Sequence, residues 1–359
     1  GSARLLDHVR LARRRPVRRL STPTTRRSTR ERRPVRARIH FVMRAGLMLL
    51  AGTVVGCGDD VASLIGATAA TGASPAEPCR VFPADNAWNQ DISDLPVHPD
   101  SDTFIDAIGR DEPLHADFGT ELDGAPIGIP FVTVTSAQAK VPIEFVAYPE
   151  QSDPGPYPVP PDAPVEGGPH SNGDRHVIVL DTETCTLYEL FRAFPEDGGK
   201  AWKADSGAVF DLRINDQHPP RWTSADAAGL PIYPGLARYD EVVENGAVPH
   251  ALRFTVSATQ MGYVAPATHY ASNDSDPTLP PMGLRVRMKP YWDCSIYTDE
   301  VKVLCAAFKK HGLILADNGS DWFVSGAHDP RWDDDKLADV KANPGDAFEV
   351  VYTGEIETY

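Results

Sequence analysis

Hydrophobic and polar residues alternate with a period of two in many short runs between residues 127 and 352. This alternation is typical of β-strands that bury one face. Gly, Pro, Asn or Asp bounds most of the runs. The predicted strands are 127–135, 142–148, 176–182, 185–193, 207–213, 250–257, 284–289, 313–317, 321–325 and 347–352. Short strands joined by turns predict a mainly β fold, an antiparallel sandwich or curved sheet with a few covering α-helices.

Two connections between these runs have the composition of hairpin turns. Thr182-Glu183-Thr184 separates the runs 176–182 and 185–193, which predicts an antiparallel pair. Asn318-Gly319 separates two later runs, and this dipeptide favours the two-residue turn of a β-hairpin. The sequence therefore predicts that the two strands flanking each turn are neighbours in a sheet.

One segment has a clear helical period. In 298–311 the apolar residues Val301, Leu304, Cys305 and Phe308 follow the i, i+3, i+4, i+7 spacing of an amphipathic helix. Acidic residues precede this stripe and lysines follow it, which suits the helix dipole. Shorter helices are predicted at 102–109, 236–244 and 333–342.

Composition divides the chain into four segments. Residues 1–42 are Arg-rich and are predicted to be a disordered or non-native leader, and 43–57 are predicted to be a separate signal-like segment. Residues 58–78 are rich in Ala, Gly and Ser, the composition of a flexible tether. Residues 79–359 are long enough for a single β-rich domain with an ample core.

Charge is distributed unevenly along the chain. Of the 35 Lys and Arg residues, 15 are arginines within residues 1–44, beside only two acidic residues. The remainder therefore holds 20 basic and 48 acidic residues, a formal net charge of −28. Because nucleic acids are bound by cationic surfaces, this acidic body argues against nucleic acid as a partner. The Arg-rich leader is the one segment that favours a nucleic-acid arm, and it has no aromatic interleaving.

The signal-like segment begins at Met43. Arg44 and an apolar run over 45–55 have the order of a secretory signal peptide, and the run is too short to span a bilayer as a mature helix. It ends in Val54-Val55-Gly56-Cys57, which resembles the lipobox of bacterial lipoproteins, with Val54 where Leu is usual. The resemblance implies lipidation of Cys57, anchoring to a membrane through this N-terminal lipid, and an extracytoplasmic place in the bacterial cell envelope.

The remaining cysteines fit an oxidising compartment. Without Cys57 there are four, an even number, and these allow three pairings. We predict the disulfides Cys294–Cys305, which closes a short loop, and Cys79–Cys185. No CxxC spacing or twelve-residue calcium loop occurs, so neither a metal nor a cofactor is expected.

Three ionisable residues are predicted on apolar strand faces, where burial costs free energy unless the group is hydrogen-bonded. His176 shares a face with Ile178 and Leu180, Glu189 shares one with Leu187 and Phe191, and His250 shares one with Leu252 and Phe254. If these faces adjoin, His176, Glu189 and His250 converge as a general acid/base cluster. The alternative is that each is a structural residue satisfied within the core.

Three arginines lie next to these positions. Arg175, Arg192 and Arg253 present planar guanidinium groups that suit the carboxylates of an acidic polymer, or that pair with nearby acids such as Asp174 and Asp181. The Pro- and Gly-rich loop 150–175 leads into His176 and forms either one wall of a cleft or a surface crossover.

A second resemblance covers most of 79–352. The stretches Gly173-Asp174-Arg175-His176, His250-Ala251-Leu252-Arg253-Phe254 and 315–322 (LADNGSDW) resemble a family of exported bacterial proteins without an assigned activity. The resemblance implies export and no particular chemistry. The placement of His176, Glu189 and His250 on apolar strand faces beside the Pro- and Gly-rich loop instead predicts an envelope lipoprotein that cleaves a polysaccharide, by hydrolysis or elimination. The alternative is a non-catalytic module that binds glycan or protein, which would expose its tryptophans in a row.

Overall fold

The computed structural model describes residues 79–122 and 124–359, and the predicted leader, lipobox and tether lie outside them. The strands in this part are β1 (His115–Asp117), β2 (Glu121–Leu122), β3 (Ala125–Pro126), β4 (Phe131–Val134), β5 (Ile143–Phe145), β6 (Val177–Asp181), β7 (Thr186–Phe191), β8 (Phe194–Glu196), β9 (Ala201–Ala204), β10 (Ser206–Asp211), β11 (Leu252–Val256), β12 (Arg285–Met288), β13 (Leu313–Asn318), β14 (Phe323–Ser325) and β15 (Phe348–Val351). The helices are α1 (Ser101–Ile108), α2 (Asp299–Lys310) and α3 (Asp334–Leu337). The prediction of a mainly β fold with a few helices is confirmed.

The strands form two larger sheets and two smaller ones. The larger sheets have the orders β1-β14-β11-β13-β12-β15 and β10-β7-β6-β4. A three-stranded sheet has the order β5-β9-β8, and β2 pairs with β3. Seven of these strand pairs are antiparallel and four are parallel. The central strand β11 lies antiparallel to β14 on one side and parallel to β13 on the other.

All ten predicted strands are present, most of them shorter than their hydrophobic runs. The first hairpin is confirmed, because β6 and β7 pair antiparallel across the turn at 182–185. The hairpin predicted at Asn318-Gly319 is wrong, since β11 lies between β13 and β14. Gly319 instead packs tightly against Thr255 of β11, and the backbone N–H of Ser257 donates to Asp321. The turn therefore carries the chain across the end of β11.

The helices follow the predicted pattern where the apolar stripe is strong. Helix α2 buries Val301, Leu304, Cys305 and Phe308, as predicted. Helix α1 occupies the range expected at 102–109 within one residue at each end. The 236–244 segment contains only a five-residue π-type turn, and 333–342 is split between α3 and a 3₁₀ turn. In the described residues no helix has the length and apolarity needed to span a membrane.

Strand β6 separates two hydrophobic clusters. Ile178 and Leu180 belong to the larger cluster, which also takes side chains from the six-stranded sheet. Val177 and Val179 point to the opposite face and belong to a second cluster with Tyr157 and other residues. Alternate side chains of a strand point to opposite faces, so β6 is buried on both sides. The strand that directly follows His176 is consequently packed between two hydrophobic clusters.

Both predicted disulfides are present in the structure. Cys79 is bonded to Cys185, which directly precedes β7, and Cys294 is bonded to Cys305 in α2. The first closes a loop with a sequence separation of 106 residues and the second a loop with a separation of 11.

Candidate functional site

A polar row crosses the six-stranded sheet at the ends of three neighbouring strands. Asp117 of β1 lies opposite Ser325 of β14 in the parallel register. Arg253 of β11 donates from Nη1 to the Ser325 hydroxyl over 3.1 Å. Because neighbouring strands present side chains on a common face, Asp117, Ser325 and Arg253 line one surface. That surface is the floor of a cleft of about 290 Å³, here called the acidic cleft.

A bulge brings a fourth residue into the acidic cleft. The register between β11 and β13 shifts after Phe254, so that Thr255 lies beside Asp317 rather than beside Ala316. A bulge inserts one residue and re-aims the side chains that follow it. Asp317 therefore leaves the face of Leu315 and lines the cleft, where its side chain is 24% exposed.

The facing wall comes from the loop before β6. His176 is buried and its Nδ1 lies 2.7 Å from Oε2 of Glu166, while its Nε2 lies 3.0 Å from the carbonyl of Ala225. Two acceptors around one imidazole favour the doubly protonated ring. The loop 150–175 also contributes Asp174, so it forms a wall of the cleft rather than a bare surface crossover.

Arg253 has unused hydrogen-bonding capacity. Its Nε and Nη2 are buried and have no hydrogen-bond partner among the described residues. Nη2 lies 3.6 Å from Oδ2 of Asp226 and 3.8 Å from Oδ2 of Asp317, within ion-pair range but beyond a hydrogen bond. Oδ2 of Asp226 is also without a partner. A buried guanidinium and carboxylate left this way are costly to maintain, which favours a role in binding.

The pKa values of the carboxyl groups in the cleft are shifted in opposite directions. Burial, together with the negative charges of Glu166 and Asp174, raises the pKa of Asp117 above its ordinary value. The pKa of Glu166 is lowered, because the imidazolium of His176 outweighs the opposing effect of burial. The pKa of Asp317 is raised by burial. Environments that move two carboxyl pKa values apart create a proton donor and a proton acceptor in one site.

Glu189 is sealed in the core. Its side chain is 0% exposed, and its carboxyl oxygens accept hydrogen bonds from the backbone N–H groups of Ile232 and Tyr233 at 2.8–3.0 Å. Burial raises its pKa to about 7. The face predicted for Glu189 is correct, but the turn at 232–233 covers it, and it does not line the acidic cleft.

His250 lies in a different place from His176. It lines a separate recess of about 410 Å³, where its Nε2 is 3.0 Å from Glu241 and 3.1 Å from Arg238. His176, Glu189 and His250 thus occupy the acidic cleft, the core and this second recess respectively. The structure therefore does not bring the three side chains together on one concave surface, contrary to the sequence-based prediction.

The three candidate arginines also differ. Arg175 is buried, donates to the backbone carbonyls of Ala193, Pro169 and Ser171, and stacks over a phenylalanine ring. Its guanidinium therefore stabilises the loop 150–175 through these hydrogen bonds. Arg192 is half-exposed and pairs with Asp205 at 2.9 Å. Only Arg253 of the three lines the acidic cleft.

The structure adds four acids that the strand pattern did not single out. They lie beside Arg253 or His176 and are Asp117, Glu166, Asp226 and Asp317. The sequence contains one indication of Asp317, because this acid directly follows a fully apolar run in the LADNGSDW stretch. Regular alternation nevertheless predicts that its side chain lies on the core face. Among residues 79–122 and 124–359, no group of three or more His, Cys, Asp or Glu side chains is placed to hold a metal ion.

The raised pKa values of three buried groups predict that the free energy of unfolding falls as pH rises. Burial raises the pKa of Asp226 to about 8, and the pKa of His176 is raised to about 9 because Glu166 outweighs the opposing effect of burial. Burial raises the pKa of Glu189 as well, to about 7. A group whose folded pKa exceeds its unfolded value stabilises the protein below the unfolded pKa and loses that contribution as pH rises through the folded value. We expect the free energy of unfolding to fall between pH 6 and pH 9.

The measurement is denaturant unfolding across this pH range at constant ionic strength. Asp226→Asn keeps an amide oxygen for the N–H groups of Ala228 and Leu230 and removes one titration, so its profile should be flatter than that of the wild type. Asp94→Asn, at an exposed position, serves as the control and should keep the wild-type slope. A profile for Asp226→Asn parallel to the wild type would contradict the assignment.

Comparison of the chain with protein-family models, curated proteins and solved structures gives no match in any of the three.

Proposed function

We propose that this chain is an exported, lipid-anchored protein of the bacterial envelope that cleaves a polysaccharide by acid/base hydrolysis in the acidic cleft. The observation that carries the proposal is the placement of Asp117 and Glu166 in one solvent-open cleft, with Glu166 held by the buried imidazole of His176. A carboxylic acid and a carboxylate flanking the scissile bond are the usual requirement for glycoside hydrolysis.

Roles follow from the electrostatics of the two carboxyl groups. Asp117, with its raised pKa, donates a proton to the leaving glycosidic oxygen. Glu166, with its lowered pKa, takes a proton from the attacking water as the glycosidic C–O bond breaks. His176 contacts Glu166 and acts as a positioning residue that keeps it ionised. Glu189 and His250 lie elsewhere and take no part in this scheme.

Export is supported by the chemistry of the cysteines. Two disulfides persist in oxidising compartments and are rare in the cytosol of mesophiles. The apolar run and the lipobox-like residues before Cys57 supply the anchor in this proposal.

A non-catalytic glycan-binding module is less favoured. Such a module would present exposed tryptophans in a row. In the described part of the chain Trp222 and Trp292 are half-buried, and the other four are buried: Trp88, Trp202, Trp322 and Trp332.

The proposal is tested with the full chain on a panel of neutral, N-acetylated and uronate-containing polysaccharides. New reducing ends report hydrolysis, and ultraviolet absorbance of an unsaturated product reports elimination. We expect reducing ends from at least one polymer, and we expect Asp117→Asn to slow their release by roughly 10²- to 10⁴-fold. Asp162→Asn is the matched control at an exposed position outside the cleft and should retain the wild-type rate.

Two outcomes would contradict the proposal. One is the absence of cleavage on every polymer in the panel. The other is cleavage that Asp117→Asn and Asp162→Asn support equally well, because the proton donor would then lie elsewhere.

A further inference from the structure

A second cavity adjoins the acidic cleft. It has a volume of about 190 Å³ and is here called the apolar recess. Its walls include the rings of Tyr148, Phe191 and His269 and the small side chain of Ala271 at an exposed position. Asp317 lines both this recess and the acidic cleft, so the two cavities meet at one side chain.

The apolar recess also contains polar groups that suit a hydroxyl group. Asp226 lines it, is completely buried, and has its Oδ2 without a hydrogen-bond partner. Nδ1 of His269 lies 2.8 Å from the carbonyl of Ala227, and burial lowers the pKa of this imidazole. A neutral ring that donates from Nδ1 leaves Nε2 as an acceptor. Aromatic walls with a few fixed polar groups are typical of small-molecule sites.

The lining of the apolar recess offers an anionic ligand no Lys or Arg side chain. The ionisable residues that line the apolar recess are Asp226, Asp317, His269 and Tyr148, with no Lys or Arg among them. Like charges brought together in a partly buried site are costly.

We propose that the apolar recess is a second saccharide subsite, continuous with the acidic cleft at Asp317, and that it takes an uncharged sugar ring. The substrate is accordingly a neutral glycan rather than a uronic-acid polymer, in contrast to the sequence-based prediction that arginines hold carboxylates of an acidic polymer. This inference rests on the proposed function for the identity of the ligand. It also favours hydrolysis rather than elimination as the reaction. Elimination acts on uronates, whose carboxylate needs a cation to neutralise it.

Binding tests the inference independently of cleavage. The full chain is titrated calorimetrically with neutral oligosaccharides (cello-, manno- and N-acetylated chito-oligomers) and with oligogalacturonate. Ala271→Phe places a ring at an exposed position in the lining of the recess, and Ala139→Phe makes the same change at an exposed position outside that lining. We expect at least one neutral oligosaccharide to bind, with at least tenfold weaker binding in Ala271→Phe and unchanged binding in Ala139→Phe. Thermal unfolding of both variants shows whether each is folded.

Each outcome decides between the two proposals. Recess-dependent binding of a neutral oligosaccharide without any cleavage supports the subsite and overturns the proposed hydrolysis. Tighter binding of oligogalacturonate, binding that Ala271→Phe leaves unchanged in the folded protein, or binding of no oligosaccharide overturns the subsite. Cleavage of a uronate polymer also overturns it, while leaving a polysaccharide-cleaving function intact.

Discussion

Replacing Glu166 with Gln is expected to slow glycan cleavage by roughly 10²- to 10⁴-fold, because an amide cannot take a proton from the attacking water. The same change should lower the pKa of His176 from about 9 to below 6.5. Burial depresses the pKa of this imidazole, and Glu166 opposes that effect through its charge and hydrogen bond. With the charge gone, desolvation decides the protonation state.

Two measurements check this prediction. The rate is followed by reducing-end release, and the His176 pKa is followed by the NMR shifts of its ring. Glu150→Gln makes the same chemical change at an exposed position outside the acidic cleft and should alter neither quantity. A wild-type pKa for His176 in Glu166→Gln would show that another group holds the proton. A wild-type rate would remove Glu166 from the chemistry.

Loss of the Cys79–Cys185 disulfide is expected to lower the free energy of unfolding more than loss of Cys294–Cys305. The chain-entropy argument assigns about 4.7 kcal/mol to closing a loop of about 100 residues and about 3 kcal/mol to one of about 15. The two loops here have sequence separations of 106 and 11. The long loop also encloses β1 to β6, so its closure restricts more of the unfolded chain.

Denaturant unfolding of the paired Cys→Ser variants measures the difference. Each double variant is the control for the other, because both remove one disulfide and leave two hydroxyls. Equal losses, or a larger loss from the short loop, would contradict the entropic account. A change in the denaturant slope would indicate that the unfolded state itself has become more expanded.

Local alternation made much of the fold predictable. Strand positions, the β6–β7 hairpin and the faces of Ile178 and Glu189 all follow from a period of two, which any strand must obey. The same pattern could not foresee that the turn at 232–233 would cover Glu189. Whether a core-facing carboxylate opens to solvent depends on residues far away in sequence, and periodicity holds no information about them.

The acidic cleft could not be predicted from the sequence for a different reason. Asp117 and Ser325 meet because β1 pairs parallel with β14, a contact between segments more than 200 residues apart. Asp317 faces the cleft because the bulge opposite Thr255 reverses the alternation of β13. Strand order and bulges are set by tertiary packing, so the sequence placed Arg253 and His176 in strands without showing that they share a cavity.

The position of the Cys79–Cys185 bond has a mechanical consequence. Tension applied to the chain on the N-terminal side of Cys79 passes through a covalent bond to the start of β7. Residues 80–115 are thereby shielded, because they are not in the path of the load until the disulfide is reduced. A protein held from that side can be pulled without peeling away the segment that leads into Asp117.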